Sequence, residues 1–356
     1  MRVLIDATSL LVRSAGVKNY TYHWIQHLRE HSRNEQILAF PYLNSLGALA
    51  HDRSMLPPPQ TYARLALLYF VNMPRNPALD WIAKADIFHI SNLLRNTPRK
   101  VKITATLHDL TSWLMPELHA AGNLQADRNF AERMLKRVDR LIAVSENTRQ
   151  DAIRILKLDP EKIEVIHSGV PEVFFGARAK PPERPYALFV GTIEPRKNLD
   201  TLLDAWESTR LRDDFDLLIA GPVGWSAEKT MARLRAGVPG VRYLGYVSEH
   251  ELPGLTAGAT VFVYPSLYEG FGFPVAQAMA AGVPVITSNT SCLPEIAGEG
   301  ALFADPRSPS DIAVTLQKLL SSPSLRERLS NEGVARAQRY RWDECAKKSL
   351  EFFRKL

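Results

Sequence analysis

With 356 residues, of which 46% are hydrophobic, the chain is too long for one ordinary core and is expected to form two domains. Its two cysteines, Cys292 and Cys345, argue against a disulfide framework and a thiolate metal site, and they fit a reducing compartment. The net charge of +6 comes from residues 1–170, which carry 22 Lys and Arg against 16 Asp and Glu. This excess fits a solvated basic surface or an anionic partner such as a phospholipid. A nucleic acid is a weaker fit, because no stacking aromatic residues are clustered with the cations.

Short apolar runs alternate with longer amphipathic ones in the first half. The run MRVLIDA predicts a strand and is too short for a signal peptide, since Asp6 interrupts it. A helix follows, with Tyr20, Trp24 and Leu28 at helical spacing. Further strands are predicted in QILAFPY, DIFHIS, KITATLHD, RLIAVS and IEVIHSGV, and helices at 126–137 and in ENTRQDAIRILKL. The longest apolar run, LALLYFV, is far shorter than the roughly 20 residues that span a bilayer, so we expect a soluble, cytoplasmic protein.

The second half begins after a proline-rich stretch. Residues 171–185 hold four prolines without periodicity and are interpreted as an interdomain linker. Strands are then predicted in YALFVGTI, FDLLIAGP, VRYLGYV, TVFVYPS and VPVITS, and helices in NLDTLLDAWEST and at 309–320, 325–340 and 342–356. This alternation predicts an α/β fold with two doubly wound domains, at 1–170 and 186–340, whose ligands lie at the carboxyl ends of the strands.

The segment YPSLYEGFGFPVAQAMAAGVPVITS is the most informative part of the chain. It predicts a strand, a glycine loop, a helix with Pro274 in its first turn, and a second strand. Free backbone N–H groups at a helix start suit a phosphate, and Glu269 beside them can hold hydroxyl groups. We therefore predict that this loop binds a phosphorylated sugar. A dinucleotide fingerprint is a weaker interpretation, because Val275 stands where the third glycine would be.

A second loop, in VGTIEPRKN, places Arg196 and Lys197 between a predicted strand and a helix. Two adjacent cations can neutralise a diphosphate, and arginine can do so with a bidentate fork. Asn198 is predicted to cap the helix. Taken alone the segment also fits an ordinary charged loop; the Glu269 loop on a neighbouring strand favours the diphosphate interpretation.

Polar residues at strand ends in the first half are further candidates. LHDL places His108 and Asp109 at the carboxyl end of the strand in KITATL. A lone histidine is usually structural, but a His-Asp pair at such a strand end favours a functional role. His89 is expected to be structural. Ser145 and Thr148 are predicted to cap a helix, with contact to an acceptor or a phosphate as the alternative.

Together these motifs resemble the retaining nucleotide-sugar glycosyltransferases of family 4, which have the GT-B fold of two Rossmann-like domains facing a central cleft. The resemblance covers nearly the whole chain, through SAGVKNYTYHW, LHDL, VSENTRQD, VGTIEPRKN, GYVSEHEL and the glycine-loop segment. It implies transfer of a hexosyl group from a nucleotide-diphosphate sugar to a glycan or lipid-linked acceptor, without a metal or another cofactor. It also implies that residues 1–170 bind the acceptor, that 186–340 bind the donor, and that the helix at 341–356 crosses back to the first domain.

The resemblance carries site residues over by position. The implied catalytic residues are His108, Glu269, Arg196 and Lys197. The implied donor-binding residues are Gly16, Thr192, Gly245, Tyr246, Val247, Gly270, Phe271, Gly272, Phe273 and Gln277. Ser14 and Ala15, together with Gly16, resemble the loop that approaches the donor phosphates.

Two positions depart from the family pattern. The family's signature is a pair of glutamates eight positions apart; here the first is Glu269, and the second position is Gln277. An amide still bonds to ribose hydroxyls but without a charge, so we expect weaker or altered donor binding. Thr192 replaces an arginine that many members carry, which leaves Arg196 and Lys197 with more of the diphosphate charge.

The identities of the donor and the acceptor are inferred from weaker sequence patterns. The PRKN form of the cation loop resembles members that transfer mannose or a related deoxyhexose, which favours a GDP-sugar over a UDP-sugar. The basic first half favours a lipid-pyrophosphate-linked acceptor and peripheral contact with the inner face of the cytoplasmic membrane. Two alternatives stay open: a GT-B nucleotide-sugar epimerase, whose extra carboxylates we cannot identify, and a non-catalytic sugar-nucleotide-binding module, which Gln277 motivates.

Overall fold

The computed structural model describes residues 1–13, 16–43, 46–73, 76–91, 93–94, 96–119, 121–179 and 181–356, so Ser14 and Ala15 lie outside the described residues. These residues form two compact units. The first combines Met1–Gly169 with Trp342–Leu356, and the second is Val170–Arg341. Each contains a parallel six-stranded sheet with flanking helices, which confirms the predicted doubly wound α/β class.

The first sheet follows the predicted strand runs. Its strands are β1 (Arg2–Asp6), β2 (Gln36–Phe40), β3 (Ile87–Ile90), β4 (Lys102–Leu107), β5 (Arg140–Ala143) and β6 (Ile163–Val165). They pair in the order β2-β1-β3-β4-β5-β6, with Leu4 opposite Leu38 on one side and Phe88 on the other. The helices are α1 (Gly16–His31), α2 (Pro58–Val71), α3 (Ala78–Ile82), α4 (Thr111–Leu114), α5 (Ala121–Arg133) and α6 (Glu146–Leu156). Because both faces are covered, residues such as Phe88 are fully buried.

The second sheet has a different strand order. Its strands are β7 (Tyr186–Val190), β8 (Asp216–Ala220), β9 (Val241–Gly245), β10 (Val261–Tyr264), β11 (Val285–Ser288) and β12 (Ala301–Ala304). They pair in the order β12-β11-β10-β7-β8-β9. The helices are α7 (Leu199–Glu207), α8 (Glu228–Ala236), α9 (Leu252–Ala257), α10 (Phe273–Ala280), α11 (Leu293–Ala297), α12 (Pro309–Leu320) and α13 (Pro323–Ala337). The order reverses between β7 and β10, and ligands of doubly wound sheets bind at the carboxyl ends of strands at such a switch point.

The last helix, α14 (Trp342–Arg354), packs on α1 in the first unit. Trp24 Nε1 donates to Ser349 Oγ at 2.9 Å, and Arg354 pairs with Glu35 at 2.8 Å. The large apolar side chains of α14 are buried: Trp342, Leu350, Phe352 and Phe353. A segment distant in sequence therefore completes the core of the first unit.

The chain leaves the first unit at Gly169, before the proline-rich stretch. A Cβ on Gly169 would lie 2.4 Å from Trp342 Cγ, so only glycine fits where the chain passes this ring. The described residues of 171–185 belong to the second unit, where Phe174 is buried. The boundary between the units thus falls earlier than the interpreted linker.

Helix α2 occupies a segment in which the sequence predicted no element. It contains the LALLYFV run, and none of the helices in the described ranges is both long and apolar enough to cross a bilayer. Thr61 and Val71 of α2 are buried, whereas Tyr62 and Tyr69 are each 72% exposed. One face of the helix is therefore buried, and the other exposes aromatic rings.

Candidate functional site

The switch point of the second sheet brings the predicted charged residues together. The loop after β7 carries Arg196 and Lys197, and the loop after the neighbouring strand β10 carries Glu269. Leu267 N donates to Arg196 O at 2.9 Å, so the two loops are hydrogen-bonded to each other. This confirms that the two loops lie on neighbouring strands.

Glu269 is the centre of a buried ion network. Its Oε1 lies 2.6 Å from Lys197 Nζ, and its Oε2 lies 2.9 Å from Arg196 Nη1. Glu194 accepts from Arg196 Nη2 at 2.7 Å. Two cations and two carboxylates sum to zero charge, and such pairing is what makes buried charges tolerable.

Two hydroxyl groups complete the network. Ser266 Oγ donates to Glu269 Oε1 at 2.6 Å, and Tyr264 OH donates to the same oxygen at 3.0 Å. Lys197 Nζ donates to Tyr264 OH at 2.7 Å. Sequence reasoning missed both hydroxyls and also Glu194. The sequence does contain a pattern that indicates these residues. Polar residues that end a buried strand or flank a cation pair face the same edge of the sheet.

The network fixes the protonation of its members. Burial raises the pKa of Glu269, but the charges of Arg196 and Lys197 and the hydrogen bonds from Lys197 and Ser266 outweigh burial and lower that pKa to about 2. Burial, followed by the charge of Arg196, lowers the pKa of Lys197, and Glu269 opposes this change. Burial and then Glu269 raise the pKa of Tyr264, so its hydroxyl stays protonated. At neutral pH Glu269 is therefore a permanent acceptor and not a proton donor.

The glycine loop leads from this network into α10. Gly272 is the N-cap, with φ at 83°, and a Cβ on it would lie 2.8 Å from Leu293 Cδ2. The positive φ favours glycine at this position. Pro274 lies in the first turn of α10, as predicted. The amides of this loop and first turn follow Glu269 directly, at an end of the helix that favours anions.

The aromatic residues of the loop contribute packing. Phe271 is buried, and its ring centroid lies 5.1 Å from that of Phe273 and 5.5 Å from that of Tyr340. Gly270 is also buried. Whatever the loop offers a ligand at Gly270 and Phe271 therefore comes from backbone atoms.

The other predicted donor-binding residues lie on the same unit. Thr192 is half-buried in the loop after β7, and Gln277 is half-buried one helical turn after Phe273. Gly245 ends β9 with φ at 71°, and Tyr246 after it is 47% exposed. Val247 is half-buried.

The structure corrects the helix cap that was predicted at Asn198. It occupies the N-cap position of α7 with φ at 59°, but its side chain accepts no hydrogen bond from the helix backbone. Its Nδ2 donates instead to Pro265 O at 3.0 Å and to Pro306 O at 2.6 Å, and its Oδ1 accepts from Thr201 Oγ1 at 2.6 Å. The side chain thus holds the loop after β7 against the loop after β10, which matters more for site geometry than a cap would.

The candidates of the first unit are His108 and Gly16. His108 directly follows β4, is half-buried, and meets the Tyr20 ring edge-on at 4.8 Å between centroids. Burial lowers its pKa to about 4 against the raising effect of Asp109, so the ring is neutral at pH 7. The Asp109 carboxylate accepts from Thr111 N at 3.0 Å, at the start of α4. Gly16 begins α1 and is exposed.

Two structural predictions in this unit are confirmed. His89 is buried, and its ring nitrogens lie 2.9 Å from Thr104 Oγ1 and 3.0 Å from Thr106 Oγ1. Ser145 Oγ accepts from Thr148 N at 3.1 Å and caps α6.

Comparison with known proteins decides the family. A model described as Glycosyltransferase Family 4 matches residues 14–174, and one described as Glycosyl transferases group 1 matches residues 172–336. The O-antigen chain mannosyltransferase B of Escherichia coli is 31% identical over 276 residues, which cover 72% of this chain and 71% of that relative. This chain belongs to glycosyltransferase family 4.

A further relative and a solved structure are similar to this family 4 glycosyltransferase at lower identity. A D-inositol 3-phosphate glycosyltransferase of a Nocardioides species is 28% identical over 252 residues, which cover 63% of this chain and 55% of that relative. Among solved structures, Anabaena Alr3699/HepE in complex with UDP and glucose superposes with a TM-score of 0.72 at 16% identity, over 100% of both chains. The enzyme is a hexosyltransferase with the GT-B fold, as the resemblance implied.

The enzyme also has a buried carboxylate at the switch point of its first sheet. Asp6 ends β1, which lies beside β3 where the strand order reverses. Its Oδ1 accepts from Thr8 N at 3.1 Å, and its Oδ2 accepts from Ser91 Oγ. Burial raises the pKa of Asp6 against these hydrogen bonds. Sequence reasoning treated Asp6 only as the end of an apolar run. An acidic residue at the carboxyl end of a buried strand nevertheless lies where doubly wound sheets bind their ligands.

Proposed function

We propose that this glycosyltransferase moves a mannosyl or related hexosyl group from a nucleotide-diphosphate sugar to a glycan or lipid-linked acceptor, with retention of anomeric configuration. One observation carries the proposal: Arg196 and Lys197 both pair with the buried carboxylate Glu269 at the switch point of the second sheet. Adjacent cations complement a diphosphate, and a fixed carboxylate complements sugar hydroxyls. The mannosyltransferase relative, at 31% identity, supports the choice of sugar.

The charge balance of the network suggests how the donor is bound. In the structure each of the two cations is paired with a carboxylate. A donor offers its diphosphate to the two cations and its sugar hydroxyl groups to Glu269. One ligand therefore replaces the internal partners of both the cations and the carboxylate. Desolvated cations that are already positioned then stabilise the charge that develops on the leaving diphosphate.

We infer the proton-handling roles with support from the same network. Glu269 is ionised at neutral pH, so it orients the sugar and supplies no proton. The proton of the acceptor hydroxyl goes to the departing phosphate oxygen as the new glycosidic bond forms on the same face. His108, a neutral ring in the first unit, is assigned to a hydrogen bond with the donor sugar.

The decisive experiment measures donor turnover of Arg196→Ala and Lys197→Ala. Each is expected to lower kcat/KM on the order of 100-fold or more, the usual loss when one transition-state contact is removed. Arg196→Lys and Lys197→Arg keep the charge and should retain part of the activity. Arg235→Ala in α8 is the surface control. Unchanged turnover in folded Arg196→Ala and Lys197→Ala would overturn the assignment.

We infer a GDP-sugar donor from the PRKN loop and the mannosyltransferase relative. Thermal-shift measurements with GDP-mannose, UDP-glucose and dTDP-glucose test this choice. GDP-mannose should raise Tm most. A larger shift with UDP-glucose would reject the GDP-sugar and leave the transfer reaction itself in place.

We also propose peripheral contact with an anionic membrane through α2. Tyr62, Tyr69 and Phe70 form its exposed face. Met73, two residues after the helix, is also exposed, and Trp81 of α3 is 78% exposed. Aromatic rings on the basic half of the chain suit a lipid interface. Tyr69→Ser with Trp81→Ser should abolish cosedimentation with phosphatidylglycerol vesicles, whereas Val314→Ser in the second unit should not; equal binding by all three proteins would reject this contact.

A further inference from the structure

Helices α1 and α14 meet at a cluster of imidazoles and a carboxylate that the transfer reaction does not use. His27 and His31 are four residues apart on α1, so both project from one helix face. Asp343 lies in the first turn of α14. Its Oδ1 is 2.9 Å from His27 Nδ1 and 2.9 Å from His31 Nε2.

The cluster has the composition and spacing of a metal site. One ligand atom from each of the three residues lies within 4.8 Å of the others. Imidazole nitrogen and carboxylate oxygen are ordinary zinc ligands, with bonds of about 2.0–2.2 Å, which places tetrahedral ligand atoms about 3.3 Å apart. The two distances of 2.9 Å to Asp343 need only a small expansion to admit an ion.

The surroundings support the rigid placement of these ligands. The His27 ring stacks on Trp342 at 6.4 Å between centroids, with 18° between the ring planes. Glu30 Oε2 is 3.4 Å from His27 Nδ1 and is available as a fourth ligand beside water. His31 lines an open polar depression together with Asn34, which gives an ion access from solvent.

We propose that His27, His31 and Asp343 bind a zinc ion that cross-links α1 to α14. Binding needs lone pairs on His27 Nδ1 and His31 Nε2, so ring protons that are now shared with Asp343 move to the opposite ring nitrogens or to solvent. The ion fixes the helix that completes the first unit. The site includes none of the residues of the Glu269 ion network, which belong to the second unit.

Zinc titration of the tag-free, chelator-treated enzyme tests the site. Isothermal titration calorimetry should show one equivalent bound, and Tm should rise with zinc concentration. His27→Gln, His31→Gln and Asp343→Asn should each weaken binding on the order of 100-fold or more, since loss of a ligand costs at least as much as loss of a supporting contact.

The matched control is His23→Gln. His23 lies one turn earlier on the same face of α1 and stacks on Trp342 at 5.7 Å, but it is not one of the three ligands. Its substitution should leave zinc affinity unchanged. A second readout is the visible absorption of Co²⁺ in the site, which His31→Gln should abolish. The proposal is overturned if the wild-type enzyme shows no stoichiometric zinc binding, or if the double variant His27→Gln/His31→Gln binds zinc as the wild type does.

Discussion

At the scale of single residues, Glu269 links stability to function. It is the only carboxylate within ion-pair distance of both Arg196 and Lys197 among the described residues. Glu269→Gln would leave both cations in the interior with one carboxylate, Glu194, between them. Removing one partner of a buried pair costs about 3–5 kcal/mol, and we expect that loss in guanidinium-induced unfolding at pH 7. Glu251→Gln, at an exposed carboxylate, is the control and should change little.

The pH dependence of this effect has a definite sign. Glu269 has a pKa of about 2 in the folded chain, below its ordinary value of 4.5, so folding favours its ionised form. Its stabilising contribution is therefore complete above about pH 5 and is lost as the pH falls toward 2. The difference in unfolding free energy between the wild type and Glu269→Gln should shrink between pH 6 and pH 3. A constant difference over that range would contradict the ion network as its cause.

Gln277 yields a prediction about donor affinity. It is half-buried on α10, and the resemblance aligns it with the second glutamate of the family. Gln277→Glu adds charge to the proposed ribose contact, which is expected to lower KM for the donor about 5- to 30-fold with little change in kcat, the equivalent of about 1–2 kcal/mol. Steady-state kinetics at fixed acceptor concentration measure this. A raised KM would show that the amide is matched to this enzyme's own donor.

At the scale of elements, the end of β8 depends on one glycine. Gly221 has φ at 147°, and a Cβ on it would lie 1.9 Å from Gly191 O at the end of β7. Gly221→Ala therefore combines backbone strain with a clash between two strand ends. Gly237 also has a positive φ, 88°, but a Cβ there would meet nothing within 4 Å.

Comparison of the two alanine variants separates these effects. Both should lose about 1–3 kcal/mol from backbone strain, and Gly221→Ala should lose at least about 2 kcal/mol more from overpacking. Chemical denaturation of each variant gives the difference. Equal losses would mean that the strand ends can move apart at little cost.

The elements that sequence reasoning predicted well are those with strong local periodicity. Strand runs such as KITATL and FDLLIA became β4 and β8, because consecutive β-branched and apolar residues fit a strand buried on both faces. Helix α2 was missed because its apolar residues point outward as well as inward, which removes the amphipathic signal. Arg196, Lys197 and Glu269 were also singled out, since they follow buried strands, but Glu194 was not.

Long-range partners were beyond sequence reasoning. Tyr264 reaches Lys197, and Glu269 reaches Arg196 and Lys197, only because β10 pairs with β7. Pairing order is set by tertiary packing and not by local sequence. The role of Asn198 depends on the same neighbour relation. The cap at Asn198 was predicted from the usual preference of asparagine. In the structure its Oδ1 accepts from Thr201 Oγ1 instead of a helix N–H, and its Nδ2 donates to carbonyl groups of two other loops.

At the scale of the whole molecule, α14 governs the stability of the first unit. Trp342, Leu350, Phe352 and Phe353 are each at most 2% exposed, and burying one such side chain is worth about 1.5–3 kcal/mol. A chain ending at Arg341 should therefore lose the fold of Met1–Gly169, since domains are stable by only about 5–15 kcal/mol in total.

Hydrogen-exchange mass spectrometry measures the stability of each unit separately. In the truncated chain the strands β1 to β6 should lose protection, while β7 to β12 keep it. A full-length Phe353→Ala variant is the control, and it should weaken protection of the first unit without abolishing it. Protection of β1 to β6 in the truncated chain would show that α14 is dispensable.

Because α14 belongs to the first unit, the order of synthesis and the order of completion are opposite. Val170–Arg341 is contiguous in sequence and can finish folding as soon as it leaves the ribosome. Met1–Gly169 is made first, but it must wait with part of its core uncovered until Trp342–Leu356 emerges. Nascent domains usually fold in the order of their synthesis. In this chain the earlier half is therefore the one exposed to chaperones and proteases during translation, and a ribosome that stalls before residue 342 leaves it unfinished.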